Sequence, residues 1–248
     1  MGVFANRLAK RVTLTAAEVE LLNRFERKPV RYPRHHRLVA SGDKAERAFV
    51  LCSGWAMSYT LYEDGSQHVR RLHFAGDLLA MPSVPMRHHG EEVETLSEAV
   101  VCAFDIALLG QLFKYPRLAG LMYMFAQAER LTAGDRLSCL GSRSALGRMA
   151  FLLLDILNRI RAAEDPVANS FEMHLTREQM SHVAGITPEH ASRMWCDLRA
   201  AGLIRCEGPR ITILDEPGLV RLSGYVNRDE DFDLDWLKSI EIIAAVAH

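Results

Sequence analysis

Residues 175–213, LTREQMSHVAGITPEHASRMWCDLRAAGLIRCEGPRITI, carry the most informative pattern of this chain, because they contain two short helical segments, a sharp turn and a hairpin pattern. Thr176 and Gln179 have the spacing of a capping box, in which each side chain satisfies a free backbone amide at the start of a helix. The first helix is predicted to run to about Ala184. Gly185 then provides the positive φ that a tight turn between helices requires.

A second helix is predicted after this turn. Thr187 can cap it, and Pro188 occupies its first position, where a missing amide hydrogen costs nothing. Gly202 is placed to end the helix. Residues 203–206 and 210–213 then have strand patterns on either side of a Glu-Gly-Pro turn. Two helices at a sharp turn, followed by a hairpin, predict a winged helix-turn-helix.

The second helix has two different faces. Ala191, Met194 and Leu198 recur at helical spacing, with Trp195 beside them, and are expected to pack against the first helix. The opposite face carries a polar strip, which consists of Glu189, Ser192, Arg193 and Cys196. A recognition helix places this N-terminal end in the major groove of DNA, where Glu can accept from cytosine and Arg can donate twice to guanine. The first three residues of the polar strip are therefore predicted to contact bases.

Further residues of this region are predicted to contact the DNA backbone; they are Thr176, Arg177, His190 and Arg210. The alternative interpretation is a pair of ordinary amphipathic helices joined at a glycine, in which Glu189 and Arg193 form an i,i+4 ion pair in water. Apolar residues at every interior position, and the hairpin that follows, favour the DNA-binding interpretation.

Cys196 has two open interpretations. The positive charges of Arg193 and Arg199 favour a thiolate, and its oxidation would place negative charge against phosphate and weaken DNA binding. Alternatively, Cys196 is a small residue tolerated on a helix surface, since no resolving partner is evident.

The composition is that of a globular protein that binds nucleic acid only locally. The chain has 248 residues, 49% apolar and 25% charged, and a formal net charge of −1. Residues 176–210 contain five arginines and four acids, a small excess that a dimer would double. The five cysteines show no CxxC pair, which suits a reducing compartment. No signal peptide and no membrane-spanning run is evident, so a cytoplasmic protein without membrane contact is expected.

The first half of the chain has a different pattern. Residues 1–28 are predicted to be helical, and from residue 30 onward short β-type runs alternate with turns. These runs are residues 37–40, 48–52, 56–62, 67–74 and 99–104. Glu63-Asp64-Gly65 is a hairpin signal, and Gly54, Gly65 and Gly76 recur every eleven residues. The pattern predicts a β-roll or jelly roll, so the fold class is α+β.

A long helix is predicted between the two halves, from about residue 115 to 140. At 1.5 Å per residue it spans roughly 35–40 Å, which is too long for one small domain to cover. Its apolar stripe is predicted to form a homodimer interface through Leu121, Phe125, Ala128 and Leu131. An ordinary core helix is the alternative. The predicted domains are a sensor at 1–112, a dimerisation helix at 113–141, a winged helix-turn-helix at 142–222, with a loop at 165–170, and a tail helix at 223–248.

This order of parts resembles the Crp/Fnr family of bacterial transcription regulators over roughly residues 30–215. The motifs that carry the resemblance are Phe74-Ala75-Gly76-Asp77-Leu78, Leu146-Gly147-Arg148-Met149-Ala150, and Leu175-Thr176-Arg177-Glu178-Gln179 running into Glu189-His190-Ala191-Ser192-Arg193. The family resemblance implies a cyclic-nucleotide-binding-like sensor, a homodimer, double-stranded DNA as partner, and RNA polymerase as a second partner if the protein activates transcription. The E-x-x-S-R pattern is similar to that of the Fnr and FixK branch, which implies palindromic TTGA-type half-sites. The cyclic-AMP branch has a further base-contacting arginine where this chain has Pro188.

The departures from the family concern the effector. The cyclic-nucleotide branch binds ribose through a Gly-Glu pair and the cyclic phosphate through an Arg-Ser or Arg-Thr pair. Here Ala80-Met81-Pro82 and Gly90-Glu91-Glu92-Val93-Glu94 stand in those segments, and acids there would repel phosphate. Cyclic AMP is therefore not expected to bind. The oxygen-sensing branch has an N-terminal cysteine cluster, but no cysteine precedes Cys52, so an iron–sulfur cluster is not expected either. The effector stays unknown.

Histidines of the sensor half allow another class of function. The histidines are His35, His36, His68, His73, His88 and His89. A haem-based gas sensor, or a cupin-like metal enzyme that uses His68, His73 and Glu91, would need them as ligands. Their spacing lacks i,i+4 pairs and no catalytic motif accompanies them, so solvent-facing histidines in a protein that is not an enzyme are expected.

Overall fold

The computed structural model describes residues 1–63, 65, 67–164, 168–229 and 232–237. Two helices precede the β-roll, α1 (Val3–Ala9) and α2 (Ala16–Asn23). The strands of the roll are β1 (Pro29–Tyr32), β2 (Arg37–Val39), β3 (Arg47–Ser53), β4 (Ala56–Leu61), β5 (Gln67–His73), β6 (Leu78–Leu79), β7 (Glu92–Thr95) and β8 (Ala99–Asp105). The second half contains α3 (Pro116–Ser142), α4 (Ala145–Ala163), β9 (Ser170–Glu172), α5 (Arg177–Ala184), α6 (Pro188–Ala200), β10 (Ile204–Glu207), β11 (Arg210–Ile213) and α7 (Glu216–Ser223).

The roll consists of two antiparallel sheets, ordered β1-β8-β3-β6 and β2-β7-β4-β5. Because side chains alternate along a strand, Phe49 and Leu51 of β3 point between the sheets, whereas Ala48 and Val50 point outward. The space between the sheets is filled by Val39, Phe49, Leu51, Ala56, Leu79, Ala80, Val93, Ala99 and Val101. The predicted α+β class with an N-terminal β-roll is confirmed.

The strand pattern of the sequence is also confirmed. The five predicted runs correspond to β2, β3, β4, β5 and β8. Gly54, Gly65 and Gly76 all have φ near +83°, so their eleven-residue spacing marks corners that favour glycine. Of the hairpin signal at residues 63–65, Asp64 lies outside the described residues. Strands β1, β6 and β7 are not predicted, because they are short and β7 contains two glutamates.

Both outer faces of the roll are covered. The sheet that contains β3 packs against α1, α2 and α3, with Phe4, Leu22, Phe25, Leu118 and Leu121 in the shared core. The sheet that contains β4 and β5 packs against the winged-helix half. Its Trp55, Met57, Leu72 and Phe74 belong to the same core as Phe171, Met180, Trp195 and Leu198. The winged helix is thus seated on the roll through an apolar joint.

Polar contacts cross this joint as well. Gln179 of α5 is buried, and its Nε2 lies 3.8 Å from the Sδ of Met57. Arg34 donates to the backbone oxygen of His174 at 2.8 Å, and the imidazole of His174 contacts the indole of Trp55, with ring centroids 5.1 Å apart. The roll and α6 therefore bury most of α5, whereas Arg177 and Glu178 at its start stay exposed.

A buried cluster of charges, called the Asp77 cluster, joins four elements. The carboxylate of Asp77 pairs with Arg7 of α1, with Arg71 of β5 at 3.6 Å and with Arg159 of α4 at 2.7 Å. Arg71 also pairs with Glu129 of α3 at 2.5 Å. Burial raises the pKa of Asp77, but the three arginines outweigh it and hold that pKa well below its ordinary value. The Asp77 cluster therefore ties the roll to α1, α3 and α4.

The winged-helix half has one strand that the sequence pattern does not predict. Residues 165–170 are predicted as a loop, but Ser170 begins β9, which pairs with β11 in the order β10-β11-β9. Residues 165–167 lie outside the described part. The strand is missed because Ser170 and Glu172 are polar and only Phe171 between them is buried. The predicted hairpin is confirmed as β10 and β11.

The chain returns toward the roll after α7. Arg228 forms two hydrogen bonds with Asp135 of α3, at 2.7 and 2.8 Å. Phe232 lies against Phe125, and Leu237 is buried in the core that α1 and α3 share. The predicted tail helix at 223–248 is wrong for residues 224–229 and 232–234, which are not helical, because Gly224 ends α7 in the left-handed conformation. From residue 238 onward the predicted helix lies outside the described residues. Among the residues that are described, no helix is long and apolar enough to cross a membrane.

Candidate nucleic-acid interface

Local sequence determines both helices of the helix-turn-helix. The amide of Gln179 donates to Thr176 Oγ1 at 3.1 Å, and the amide of Thr176 donates to Gln179 Oε1 at 2.9 Å. Gly185 has a φ of +60°, and Thr187 Oγ1 accepts from the amide of His190 at 3.3 Å. The helix starts and the turn are therefore those that the sequence predicts, and the geometry of a capping box is complete.

Helix α6 buries one face and exposes the other. Ala191, Trp195 and Leu198 are buried in the core. Met194, which is predicted on this face, is only half-buried, because the larger Trp195 fills the centre of the contact. Every residue of the polar strip is exposed: Glu189, Ser192, Arg193 and Cys196. The strip thus lies on the side of α6 that faces away from the protein.

Glu189 lies at the N-terminal end of α6. Hydrogen bonds from its own backbone amide, and then from the hydroxyl of Thr187, lower the pKa of its carboxyl group. The carboxylate is therefore ionised at neutral pH and acts only as an acceptor, which is what the amino group of cytosine requires. Arg193 lies one turn further along the same face and offers the matching donors for guanine. His190 is exposed beside them.

Arg177 is held next to α6 by an aromatic contact. Its guanidinium carbon lies 4.2 Å from the centroid of the Trp195 ring, a cation–π arrangement. Burial lowers the pKa of Arg177, yet the side chain stays on the exposed edge of α5. Thr176 is exposed beside it, and its hydroxyl hydrogen can still donate to a phosphate, since the capping box uses its oxygen only as an acceptor.

The hairpin of β10 and β11, called the wing, contains Arg210, which is predicted to contact phosphate. Two glutamates lie close to this arginine. Arg210 is exposed at the start of β11, and its register partners are Glu207 of β10 and Glu172 of β9. Arg210 Nη2 lies 3.7 Å from Glu172 Oε1. A carboxylate at this distance competes with a phosphate for the guanidinium. Because β9 is missed by the sequence pattern, this competition is missed with it.

The two cysteines of this region have different surroundings. Cys196 is exposed on the polar strip, whereas Cys206 is half-buried and packs against the core. Burial raises the pKa of the Cys206 thiol, which disfavours the thiolate that a resolving partner would need. A redox role for Cys196 stays a prediction.

Two residues outside the predicted site hold the turn between α5 and α6. Arg148 Nη1 of α4 donates to the backbone oxygen of Gly185 at 3.1 Å, and a Cβ at Gly185 would lie 3.0 Å from Leu140 Cδ2 of α3. A Cβ at Gly147 would lie 2.6 Å from the oxygen of Leu222, so glycine allows α4 and α7 to approach. The Leu-Gly-Arg motif is visible in the sequence, but these contacts are not.

Helix α3 does not expose all of the residues predicted for the dimer interface. Leu121 is fully buried in its own chain, and Phe125 and Ala128 are half-buried, whereas Leu131 is 55% exposed. Leu121 faces inward because the roll and α1 cover that side of the helix. The large apolar side chains that α3 leaves exposed are Tyr123, Leu131 and Leu137.

The expectation of solvent-facing histidines is wrong for two of the six. His73 and His89 are buried, and His73 Nε2 lies 3.1 Å from Ser58 Oγ. Burial lowers the pKa of both imidazoles, so they stay neutral at neutral pH. Within the described residues, no group of three His, Cys, Asp or Glu side chains could hold a metal ion.

The sensor does not fit a cyclic nucleotide. Glu91 and Glu92 are buried, and burial raises the pKa of Glu91. Among the described atoms, Glu91 Oε1 has no hydrogen-bond partner and Glu92 Oε2 has only the ion pair with Arg37 at 3.7 Å, so an added phosphate would meet carboxylate oxygens there. Met81 packs on the core that faces α3 and not between the sheets.

An iron–sulfur cluster does not fit either. Cys52 and Cys102 lie with their sulfurs 3.5 Å apart in the same sheet, and burial raises the pKa of both thiols. A cluster needs about four cysteine ligands, and within the described residues no group of three possible metal ligands gathers around these two thiols.

Comparison with known proteins agrees with this geometry. Residues 147–222 match the family model of a Crp-like helix-turn-helix domain, and residues 29–115 match that of a cyclic nucleotide-binding domain. The fumarate and nitrate reduction regulatory protein of Escherichia coli (strain K12) is 26% identical over 216 residues, which cover 86% of this chain and 85% of that protein. The anaerobic regulatory protein of Haemophilus influenzae is 26% identical over 215 residues, or 86% of this chain and 82% of that protein.

Solved structures show the same fold. The structure of FixK2 from Bradyrhizobium japonicum superposes with a TM-score of 0.71 at 22% identity and covers 80% of this chain and 98% of that one. A transcriptional regulator of the CRP family from Thermus thermophilus, TTHB099, superposes with a TM-score of 0.64 at 20% identity and covers 79% of this chain and 97% of that one.

The protein is a winged-helix DNA-binding regulator with an N-terminal β-roll domain of the cyclic-nucleotide-binding type. Since both family models match in the expected order and the similar proteins are regulators of this type, the chain belongs to the Crp/Fnr family of transcription regulators.

Proposed function

We propose that the protein is a homodimer that binds palindromic TTGA-type half-sites, with Glu189, Ser192 and Arg193 contacting bases. The observation that carries this proposal is the exposure of the whole polar strip on α6, opposite a buried face. Thr176, Arg177, His190 and Arg210 surround the strip and are proposed to contact phosphates. The chain acts by binding DNA and, in this proposal, not by catalysis.

The half-site proposal is tested by selecting bound sequences from random duplex DNA. The expected result is enrichment of paired TTGA-type half-sites, and the same selection with Arg193→Ala should lose preference at one base pair of each half-site. Enrichment of an unrelated sequence by the wild type would refute the proposed half-site, and an unchanged preference in the variant would refute the role of Arg193.

A dimer is supported by the outer surface of α3. Over its 27 residues the helix spans about 40 Å. Tyr123, Leu131 and Leu137 are 61%, 55% and 70% exposed along it, and such side chains favour burial against a second copy. Two copies of α6 related by a two-fold axis would then bind the two half-sites of a palindromic DNA sequence.

The dimer is tested by the mass of the protein in solution. Leu137→Arg places a charge in the proposed interface and should give a monomer. Leu61→Arg is the control, because Leu61 is 50% exposed at the end of β4, away from α3. A Leu137→Arg protein that stays dimeric would show that α3 does not form the interface.

The effector of the protein is proposed not to be cyclic AMP, because buried Glu91 and Glu92 lie in the segment that would hold its phosphate. Titration calorimetry is expected to show no cyclic AMP binding at micromolar concentration, and micromolar binding would refute this. Contact with RNA polymerase is proposed for the case that the protein activates transcription. Transcription in vitro from a promoter with a selected site, with and without the protein, would show whether it activates or represses.

A further inference from the structure

One edge of the roll, beside β1, carries a concentration of positive charge. The whole chain is nearly neutral, with 30 Lys and Arg against 31 Asp and Glu. Residues 24–37, RFERKPVRYPRHHR, nevertheless contain six Lys and Arg and one acid. The six cations are all exposed and are called the basic strip: Arg24, Arg27, Lys28, Arg31, Arg34 and Arg37. A surface charge of one sign attracts a ligand of the opposite sign.

The acid within this segment does not neutralise the basic strip. Glu26 is half-buried, and its carboxylate accepts from the backbone amides of Val3 and Phe4 at 2.8 and 2.9 Å. These amides begin α1, where a helix has free donors and a negative charge is favourable. The charge of Glu26 is therefore used at the start of α1, and the cations around it stay available.

Other acids pair with only part of the basic strip. Arg31 pairs with Glu98 at 2.8 Å, and Arg37 lies 3.7 Å from Glu92. Both arginines are exposed, so these pairs contribute little and can be exchanged for another anion. Within the described residues, no ion pair engages the remaining cations at the start of the strip, which are Arg24, Arg27 and Lys28.

Protection of a sheet edge does not account for the basic strip. Charged side chains on an outer strand prevent pairing with another chain, and β1 is an outer strand in the order β1-β8-β3-β6. Of the six cations, however, β1 (Pro29–Tyr32) carries only Arg31. The other five lie before and after the strand, where they protect no edge. A ligand for the strip therefore has to be sought.

Arg34 places the strip next to the DNA-binding face. Its Nη2 donates to the backbone oxygen of His174 at 2.8 Å. His174 lies in the short connection between β9 and α5, which carries Thr176 at its start. On the other side of this connection, Glu172 of β9 lies beside Arg210 of the wing. The strip is thus continuous with the side chains that are proposed to contact phosphates.

From Arg34 the strip runs along the edge of the roll, away from the winged helix. Strand β1 is antiparallel to β8, with Tyr32 opposite Ala99 and Pro29 opposite Cys102. Leu96, shortly before β8, belongs to the core of the joint with the winged helix, whereas Cys102 belongs to the core shared with α1 and α2. Strand β1 alone spans roughly 13 Å, the length of about four base pairs at 3.4 Å each.

We propose that the basic strip binds the phosphate backbone of the DNA outside the half-site, without contacting bases. DNA is favoured over an acidic protein because Arg34 joins the strip to the phosphate contacts of α5 and the wing. A straight duplex on α6 would not reach the cations further along β1. The flanking DNA therefore bends towards the roll, at a cost that the added phosphate contacts offset. This inference rests on the proposed binding of α6 to paired half-sites.

Hydroxyl-radical footprinting of the full-length protein locates the contact on the DNA. The long duplex contains a selected site and about ten further base pairs, one helical turn, on each side. Protection of the backbone is expected to extend about four base pairs or more beyond each half-site. Arg27→Gln with Lys28→Gln should weaken the flanking protection and keep the protection of the half-sites. Wild-type protection that ends at the half-sites would overturn the proposal.

A second double variant controls for the loss of charge. Lys44→Gln with Arg87→Gln removes the same charge from exposed positions of the roll outside the strip. This variant should protect the flanks as the wild type does. Equal loss of flanking protection in both double variants would show that net charge, and not the strip, determines the contact.

Salt dependence counts the phosphates that the strip contacts. A short duplex contains only the two half-sites. For the wild type, the slope of log K against log salt should be steeper on the long duplex by about 0.9 for each further phosphate. In a dimer, Arg27→Gln with Lys28→Gln should lower this difference by roughly three to four if both cations contact phosphate, and should not change the slope on the short duplex.

Glu98→Gln tests the strip in the opposite direction. The substitution releases Arg31 from its ion pair without adding a charge to the strip. Binding to the long duplex should become tighter, whereas binding to the short duplex should stay at the wild-type level. Weaker binding to the long duplex would contradict a contact between Arg31 and phosphate.

The two duplexes separate failure of this inference from failure of the proposed function. A wild type that binds the short selected duplex no better than a short random duplex would refute the proposed half-sites. A wild type that discriminates on the short duplex, but shows the same salt slope and no flanking protection on the long one, would refute the role of the strip alone. In that case the remaining ligand for the strip is an acidic protein.

Discussion

The Asp77 cluster and the polar strip of α6 use the same kinds of residue in opposite surroundings. Asp77 has a side chain that is 1% exposed and is shared by three arginines, whereas Glu189 and Arg193 are exposed. Burial lowers the pKa of Arg159, but the carboxylates of Asp77 and Glu129 outweigh it and raise that pKa above its ordinary value. Charges removed from water are locked to one another and hold domains together, while charges left in water stay available to a ligand.

The largest expected effect comes from removing the buried carboxylate of the Asp77 cluster. Asp77→Asn leaves Arg7 and Arg159 near each other without their shared carboxylate, so the free energy of unfolding should fall by about 3–5 kcal/mol. Urea unfolding measures it. Glu98→Gln is the control, because its pair with Arg31 is exposed and should contribute less than about 1 kcal/mol. Similar losses in both variants would show that burial does not distinguish the two pairs.

A substitution in the exposed polar strip should change the affinity for DNA and not the stability of the fold. Arg193→Ala is expected to cost roughly 1–3 kcal/mol of affinity for a selected site and to leave the thermal midpoint unchanged. Arg221→Ala, an exposed arginine of α7 in the same domain, should change neither quantity. Binding to specific and random duplex is measured by fluorescence anisotropy. Equal losses of Arg193→Ala on both duplexes would contradict a contact with bases.

Buried histidines predict that the stability of the fold depends on pH. His73 lies 4.0 Å from Asp77 and His174 lies in the joint with Trp55, and burial lowers the pKa of both imidazoles. The unfolded chain therefore binds protons first, so stability is complete above the unfolded pKa of about 6.5 and declines as the pH falls below it. The slope for one such histidine is at most about 1.4 kcal/mol per pH unit.

Urea unfolding between pH 7.5 and 5 measures this decline. His174→Gln should flatten it, whereas His88→Gln, at an exposed position, should leave it unchanged. A stability that does not change with pH in the wild type would contradict the burial of these histidines.

The smallest expected effects concern the wing, where an exposed charge has an exposed competitor. Arg210→Ala should weaken binding to all duplexes alike and lower the salt slope by about one. Glu172→Gln removes the carboxylate 3.7 Å from Arg210 and should strengthen binding to all duplexes by at most about 1 kcal/mol. Glu98→Gln in the roll is the control for loss of an acid. Weaker binding by Glu172→Gln would mean that the pair orients Arg210 instead of competing for it.

Local sequence patterns were enough to predict the helices and the turn of the DNA-binding half and the outline of the roll. Capping boxes and positive-φ glycines act over a few residues, so Thr176 with Gln179, and Gly185, could be identified with the helices that they begin and end. The exposure of Glu189 and Arg193 followed in the same way, because helical spacing places them opposite Ala191 and Leu198.

Contacts between distant elements depend on packing across the whole molecule. The joint between the roll and α5, the Asp77 cluster and the contact of Leu140 with Gly185 join residues far apart in the chain, and no local pattern records such partners. Leu121 is the clearest example. Its helical spacing places it on the apolar stripe of α3 but does not say whether its own chain or a second copy covers it. Packing answers that question, since burial depends on every element that surrounds a side chain.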